Sequence, residues 1–376
     1  MPGFLVFKFG GACLLGPDDI VAVARYVRSR LDGDLRAVIV VSAMSGASGA
    51  IDELMKELND DPPPPSAAVA LASADQLSAA LLSLTLSGSG LVTRLLLPNQ
   101  TGLTGEGHAL QGRLSPCDGR LLRDALREHQ VVVVPGGHGT DEAGNPMMFG
   151  RNSSDLSAVA LATAIEAAEC EIFSDVSGIY TADPVLVPDA RPVPRASYRF
   201  VGDIAAGGAK VLHPEAVALA RLHGLSVVFR GRPPDAPSLT TMDPSGSWQP
   251  AVAADARGRV WSFPDPAVAR AARDLLVSEG LDALQSGHCL VIDPAAPKSV
   301  LSRACERGTQ TDLRLVTVLG TENAPPERYL VPAADLGQAV REHHRRLYPD
   351  AGDVGAHAPE TAQARSPYSR VMMGPQ

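Results

Sequence analysis

Lys8-Phe9-Gly10-Gly11 closes the apolar run Phe4-Leu5-Val6-Phe7 and sets a lysine beside two residues that lack Cβ. Such a segment lets an ammonium group and bare backbone N–H groups approach phosphate oxygens together. It fits equally a strand-end lysine that snorkels to water before a turn, and on this segment alone that is the default. Neither GxxxxGK[ST] nor GxGxxG occurs, so phosphate chemistry needs support from elsewhere in the chain. Gly150-Arg151-Asn152-Ser153-Ser154-Asp155 opens a helix-like run with a guanidinium, two hydroxyls and a carboxylate. That is a ready place for a carboxylate or phosphate, and also what a capped helix with an exposed arginine looks like. Ser174-Asp175-Val176-Ser177-Gly178-Ile179-Tyr180-Thr181-Ala182-Asp183-Pro184 follows a buried strand-like run, and Gly208-Ala209-Lys210-Val211-Leu212-His213-Pro214 precedes a helix-like one. Either alone reads as an ordinary turn; their conjunction and order do not.

The elements that must position these clusters alternate. Strand-like runs at 37–41, 91–97, 131–134, 171–173 and 226–229 are separated by helix-like runs. The helical runs fall at 17–31, 51–58, 66–86, 118–129, from Ser153 or Ser154 to 167, and at 214–223, with a proline loop at 62–65. Repeated βα units predict an α/β fold with a mainly parallel sheet and helices on both faces. Ligands in such sheets lie at the carboxyl ends of the strands, where these clusters fall. Residues 233–250 read as a linker. Strands at 259–263, 281–285, 289–292 and 313–319, with helices at 267–279 and 298–307, predict a small α+β module. Residues 329–331 and the helix 336–347 look like a fragment of a second, and 349–376 are expected to be a disordered tail.

The 376 residues suffice for two or three domains. With 45% apolar and 20% charged residues, the composition is that of a globular protein rather than a disordered or fibrous one. A net charge of −9 and 4% aromatics argue against a nucleic-acid partner. The five cysteines show no CxxC or zinc-like spacing, which fits reduced thiols. Nor do His108, His129, His138, His213 and His288 have metal-ligand spacing; only His138, in GGHGT, falls near the expected acceptor loop. The start of the chain lacks a basic leader, and no run of about 18 uncharged apolar residues occurs. No membrane partner is expected, and the predicted location is cytoplasmic.

In this order, KFGG (Lys8–Gly11), VVSAM (Val40–Met44), GRNSSD (Gly150–Asp155), SDVSGIYTADP (Ser174–Pro184) and GAKVLHP (Gly208–Pro214) resemble the motifs of the aspartokinase branch of the amino-acid kinase superfamily. The resemblance runs from Phe4 to about Met242. It implies a three-layer αβα kinase domain over residues 1–232 that moves the γ-phosphoryl of MgATP onto a carboxylate, giving an acyl phosphate. Residues 251–348 are similar, more weakly, to a reduced ACT-type regulatory region, and a homodimer follows by analogy. By this resemblance Lys8 and Lys210 would flank the phosphates and Asp155 would hold the lysines. Gly10 and Gly11 would offer amides to phosphate oxygen, and Ser174, Asp175, Tyr180, Asp183 and Val211 would complete the nucleotide set. Arg151 would pair with a substrate carboxylate near Ser42, Ser48, Gln76, Asn152, Ser153 and Ser154. Phosphoryl transfer depends on positioning and cations more than on a covalent nucleophile, which suits such a set.

The departures bear on the acceptor. Ala12-Cys13 replaces a Thr-Ser pair, Asn152-Ser153 a double glycine, Val185 an arginine, and Gly136-Gly137 a Gly-Phe pair. A Gly-Glu pair is matched here to Asp75-Gln76, which puts neutral Gln76 where the substrate ammonium would be met and turns Asp75 to another face of its helix. Losing that charged contact costs about 1.5–3 kcal/mol, enough to change the acceptor without abolishing transfer. Three outcomes follow: a kinase acting on aspartate or a related amino acid, a kinase for a different small acceptor in a specialised pathway, or a non-catalytic nucleotide-binding regulatory relative.

Overall fold

β1 (Phe4–Phe9) is apolar at every position but Lys8 and lies inside a sheet, as a strand buried on both faces must. The structure, a computed structural model, describes residues 3–150, 153–233, 235, 237–294 and 296–349. In chain order it continues with α1 (Pro17–Arg30), β2 (Arg36–Val41), α2 (Ala47–Leu58), α3 (Pro64–Gly88), β3 (Thr93–Leu95), β4 (Gly105–His108) and β5 (Gln111–Leu114). Then come α4 (Arg120–Glu128), β6 (Val131–Pro135), β7 (His138–Thr140), β8 (Pro146–Met148), α5 (Ser153–Ala164), β9 (Glu169–Phe173), β10 (Arg195–Ala196) and α6 (Tyr198–Ala206). The chain goes on through α7 (Pro214–His223), β11 (Val227–Arg230) and β12 (Ser238–Met242). It closes with β13 (Ala251–Asp255), β14 (Arg259–Ser262), α8 (Pro266–Ser278), β15 (Ala283–Ser286), β16 (Cys289–Ile292), α9 (Lys298–Ala304), β17 (Thr309–Thr311), β18 (Leu313–Leu319), β19 (Glu327–Pro332) and α10 (Leu336–Leu347). The described residues form two units, one from 3–178 and Glu215–Pro244, the other from Ile179–Pro214 and 245–349.

The first unit is the predicted α/β layer structure. Its strands run β12-β11-β9-β1-β2-β6-β3, all parallel except β12. Strand alternation divides the two faces. Leu5, Phe7, Phe9, Ala37, Ile39 and Val41 pack with Val23 and Val27 of α1 and Leu82 and Leu86 of α3. Val6, Lys8, Val38 and Val40 alternate with that set, and α5 packs on β1, β2 and β9. In the middle of the sheet, fully buried Glu171 is bracketed by Arg30, at 2.6 and 2.9 Å, and by Arg230.

α3 begins at Pro64, inside the expected proline loop, because proline is tolerated in the first helical turn. It is long and apolar enough to cross a membrane, yet Ala68, Ala72, Ala79, Leu82 and Leu86 are buried within the unit. The segment expected to be linker contains a strand, β12, antiparallel to β11. The short hairpins β4–β5 and β7–β8 were not predicted either: their glycines and few apolar residues give no alternation to read.

The second unit holds two antiparallel sheets, β13-β18-β19 and β15-β16-β14-β17. α10 packs with the first through Val340 and Leu336, and α8 and α9 pack with the second. The α+β prediction holds here, but β18, expected in the first module, belongs to the other sheet, which is complete rather than a fragment. The expected tail lies, from residue 350 on, outside the described residues.

Candidate active site

Lys8 is an even-numbered residue of β1 and so faces α5, where Asp155 sits in the first turn. Lys8 Nζ lies 2.6 Å from Asp155 Oδ1, with both residues buried (8% and 6% exposed). Among the described residues no hydrogen-bond donor is aligned on that oxygen, so charge pairing is what it receives. A buried ion pair is seldom more stabilising than an apolar pair of the same volume, so its presence at a strand end needs a chemical reason.

Around it, the ends of three parallel strands meet the start of α5. Gly11 opens a turn after β1, and a Cβ there would sit 2.7 Å from the Ala43 carbonyl oxygen. The Gly10 N–H donates to Phe173 O at 3.1 Å. Its expected role as a phosphate-binding amide is therefore corrected: that donor is spent within the sheet. Ser42, just past β2, donates to Ser154 Oγ at 2.9 Å, joining β2 to α5. Ser153 Oγ points to Gly150 O (2.5 Å) and Gly137 O (3.0 Å), and Ser157 Oγ accepts from Gly137 N–H at 3.0 Å. A Cβ on Gly136 would lie 2.9 Å from Ser154 Cβ, so the glycines let this loop close over the helix start. Ser174 forms a local turn with Val176, and Asp175 is exposed at the end of β9. Ser48 is exposed in the first turn of α2 and makes no side-chain hydrogen bond among the described residues. Arg151 and Asn152 lie outside the described residues.

A buried acid, Asp75 of α3, lies against the segment that follows β2. Its Oδ1 accepts the Ala43 N–H at 2.7 Å, and the neighbouring Ser78 hydroxyl accepts the Met44 N–H at 2.9 Å. Burial pushes its carboxyl up to about 7, against the opposing pull of the Ala43 hydrogen bond and of Lys8. Asp75 does lie on another face of α3 than Gln76, as expected, and that face is the one turned to the chain just past β2. The signal was in the sequence: Ala68, Ala72, Asp75, Ala79, Leu82 and Leu86 recur every three or four residues, so Asp75 is in phase with the buried stripe and Gln76 is not. Gln76 Nε2 instead lies 3.5 Å from His138 Nε2. His138 is fully buried, and its Nδ1 donates to Gly136 O at 3.0 Å, since a carbonyl only accepts. That leaves Nε2 as an acceptor for the Gln76 amide, and burial lowers the imidazole to about 4, which keeps it neutral.

The second unit carries the remaining residues. Tyr180 is half-buried and bridges to Pro192, and Asp183 Oδ1 accepts the Val185 N–H at 2.8 Å. Thr181 Oγ1 meets His344 Nε2 of α10 at 2.9 Å. Lys210 is exposed, and Val211 is half-buried, after a Gly207–Gly208 step that lies against Thr317 and Asp255.

A parallel sheet with a buried lysine–carboxylate pair, glycine turns and a helix N-terminus at its carboxyl edge is an α/β arrangement suited to holding phosphate groups by positioned charge. Comparison with known proteins makes this specific: the chain belongs to the amino acid kinase family, whose model matches residues 3–231. It is 30% identical over 355 residues to an aspartokinase of Thermus thermophilus, covering 94% of this chain and 82% of that one. It is 34% identical over 216 residues to an aspartate kinase of Pseudomonas putida, covering 57% and 53%. Among solved structures, E. coli aspartokinase III in complex with aspartate and ADP superposes with a TM-score of 0.74 over 92% of this chain and 100% of that one, at 18% identity, a likeness of fold.

Proposed function

We propose that this protein is an aspartate kinase: a carboxylate oxygen of aspartate attacks the γ-phosphorus of MgATP, the bond to the ADP oxygen breaks, and an acyl phosphate and ADP leave. The observation that carries this reading is the buried Lys8–Asp155 pair set beside the buried carboxyl of Asp75. Lys8 neutralises charge developing on the transferred group, and Asp155 holds its ammonium in place. The Gly11 amide faces phosphate oxygen, and Mg²⁺ enters with ATP as part of the substrate. Ser174, Asp175, Tyr180, Asp183, Lys210 and Val211 keep the nucleotide role that the resemblance of their motifs gives them. Asp75 meets the substrate ammonium, Gln76 offers its amide beside it, and Ser42, Ser153 and Ser154 shape the acceptor wall. Arg151 takes a substrate carboxylate, with Asn152 and Ser48 at the margin.

Because an acid is present in Asp75, the chain has no need of a different acceptor to account for Gln76. Retention of a costly buried ion pair speaks for catalysis over a regulatory relative. The five cysteines are unpaired, which suits the cytoplasm. β19 is a sheet-edge strand, which suits a homodimer through strand pairing. ADP release by the purified protein, measured with aspartate against a panel of other amino and carboxylic acids, tests the acceptor. Turnover highest with aspartate supports the reading; turnover only with another acid, or with none, overturns it.

A further inference from the structure

Three adjacent parallel strands end in register. Phe9 pairs with Phe173, and Phe173 with Arg230. Two residues beyond those matched positions stand Gly11, Asp175 and Arg232, at one level on the carboxyl edge of the sheet. Arg232 follows Gly231, where a Cβ would lie 2.6 Å from Ser177 Oγ, so the turn after β11 is seated against the Ser174–Gly178 loop. Its Nη2 donates to Asp19 Oδ1 at 2.9 Å, while Asp19 Oδ2 accepts the Leu15 N–H at 3.1 Å. The guanidinium is thus tied to the turn that continues from Gly10-Gly11. Its Nε is buried and donates to nothing among the described residues. A buried donor left unsatisfied costs about 1–3 kcal/mol, so this position asks for an acceptor. Lys8 and Arg232 both act on the Cys13 thiol, and so does Asp175: burial pushes the thiol up to about 12, the two cations oppose the rise and Asp175 adds to it. Charged groups on this rim include Lys8 with Asp155, Arg232 with Asp19, and exposed Asp175, while Arg230 at the end of β11 pairs with Glu171.

We infer that Arg232 is a phosphate-binding cation of the nucleotide site, presenting its free Nε–H and remaining guanidinium donors to an oxygen of the ATP phosphate chain. The inference rests on the kinase reading and extends it to a residue outside every motif. A guanidinium suits this work, being permanently charged and able to give two parallel hydrogen bonds to phosphate.

Calorimetric titration of the full chain with ATP, ADP and adenosine tests it. Arg232→Ala is expected to weaken ATP and ADP roughly tenfold or more, to leave adenosine within about twofold, and to regain part of the loss in Arg232→Lys. Asp19→Asn, which removes the same ion pair but keeps the guanidinium, is expected to retain ATP affinity. Equal losses for adenosine and ATP, or an Asp19→Asn loss matching that of Arg232→Ala, would make Arg232 a structural residue and overturn the inference. Unchanged ATP affinity in Arg232→Ala would overturn it too. Failure of the kinase reading itself shows differently, as absence of ATP binding by the unaltered protein.

Discussion

Lys8 Nζ and Asp155 Oδ1 stand 2.6 Å apart in a site closed to most solvent, one at the end of the central strand and the other in the first turn of the helix that covers it. On the proposed kinase reading, a polyphosphate entering at the strand ends shares the ammonium that Asp155 holds. Lys8→Ala is expected to lower kcat about 10²–10³-fold, the range found when one preorganised transition-state donor is removed. Stopped-flow or coupled assay of ADP release checks this, with thermal unfolding confirming that the variant folds; undiminished kcat would remove Lys8 from the chemistry.

Asp75 and Gln76 are adjacent in the chain and differ in what they do. Asp75→Asn is expected to lower kcat/KM for aspartate by about 10–150-fold, the value of one charge-assisted contact of 1.5–3 kcal/mol. Gln76→Glu is expected to change it less than about threefold, because the ammonium already has its acid. A large gain from Gln76→Glu together with a silent Asp75→Asn would return the acid's place to position 76.

The same carboxyl gives a pH signature. With its pKa raised to about 7, Asp75 is neutral below that pH and ionised above it. Binding of an ammonium needs the ionised form, so kcat/KM for aspartate should climb as pH rises through about 7 and then level off. His138, lowered to about 4, does not titrate in that window. In Asp75→Asn the rising limb should vanish, and its persistence there would assign it to another group.

Glu171 supplies a prediction of stability alone. It is fully buried between Arg30 and Arg230 in the middle of the sheet. Glu171→Ala removes the buried carboxylate that two arginines share and should cost about 3–5 kcal/mol in urea unfolding. A cost below about 1 kcal/mol would show that the arginines reach water when the carboxylate is gone.

Much of this was legible in the sequence. The alternation of buried runs and helical runs located the parallel sheet, because a strand covered on both faces has no choice but to be apolar throughout. The ordered motifs placed Lys8, Ser42, Ser154 and Asp155 at one edge. What escaped was whatever depended on rotation or on distance along the chain. One residue of phase around α3 decided between Asp75 and Gln76, and the apolar stripe was the only guide. Gly10 has the right type for phosphate binding, yet its N–H is taken by Phe173, a contact between strands far apart in sequence. Arg232 belongs to no motif and acquires meaning only when β1, β9 and β11 are seen to end in register. β12 was hidden by the prolines and serines around it, which mimic a linker.

The most direct test of the account is to incubate the purified protein with MgATP, aspartate and hydroxylamine and to measure aspartyl hydroxamate. The account predicts hydroxamate in proportion to the ADP formed, dependent on both ATP and aspartate and lost in Lys8→Ala. ADP formed from aspartate without hydroxamate would mean that phosphate is going to something other than a carboxylate, and would contradict it.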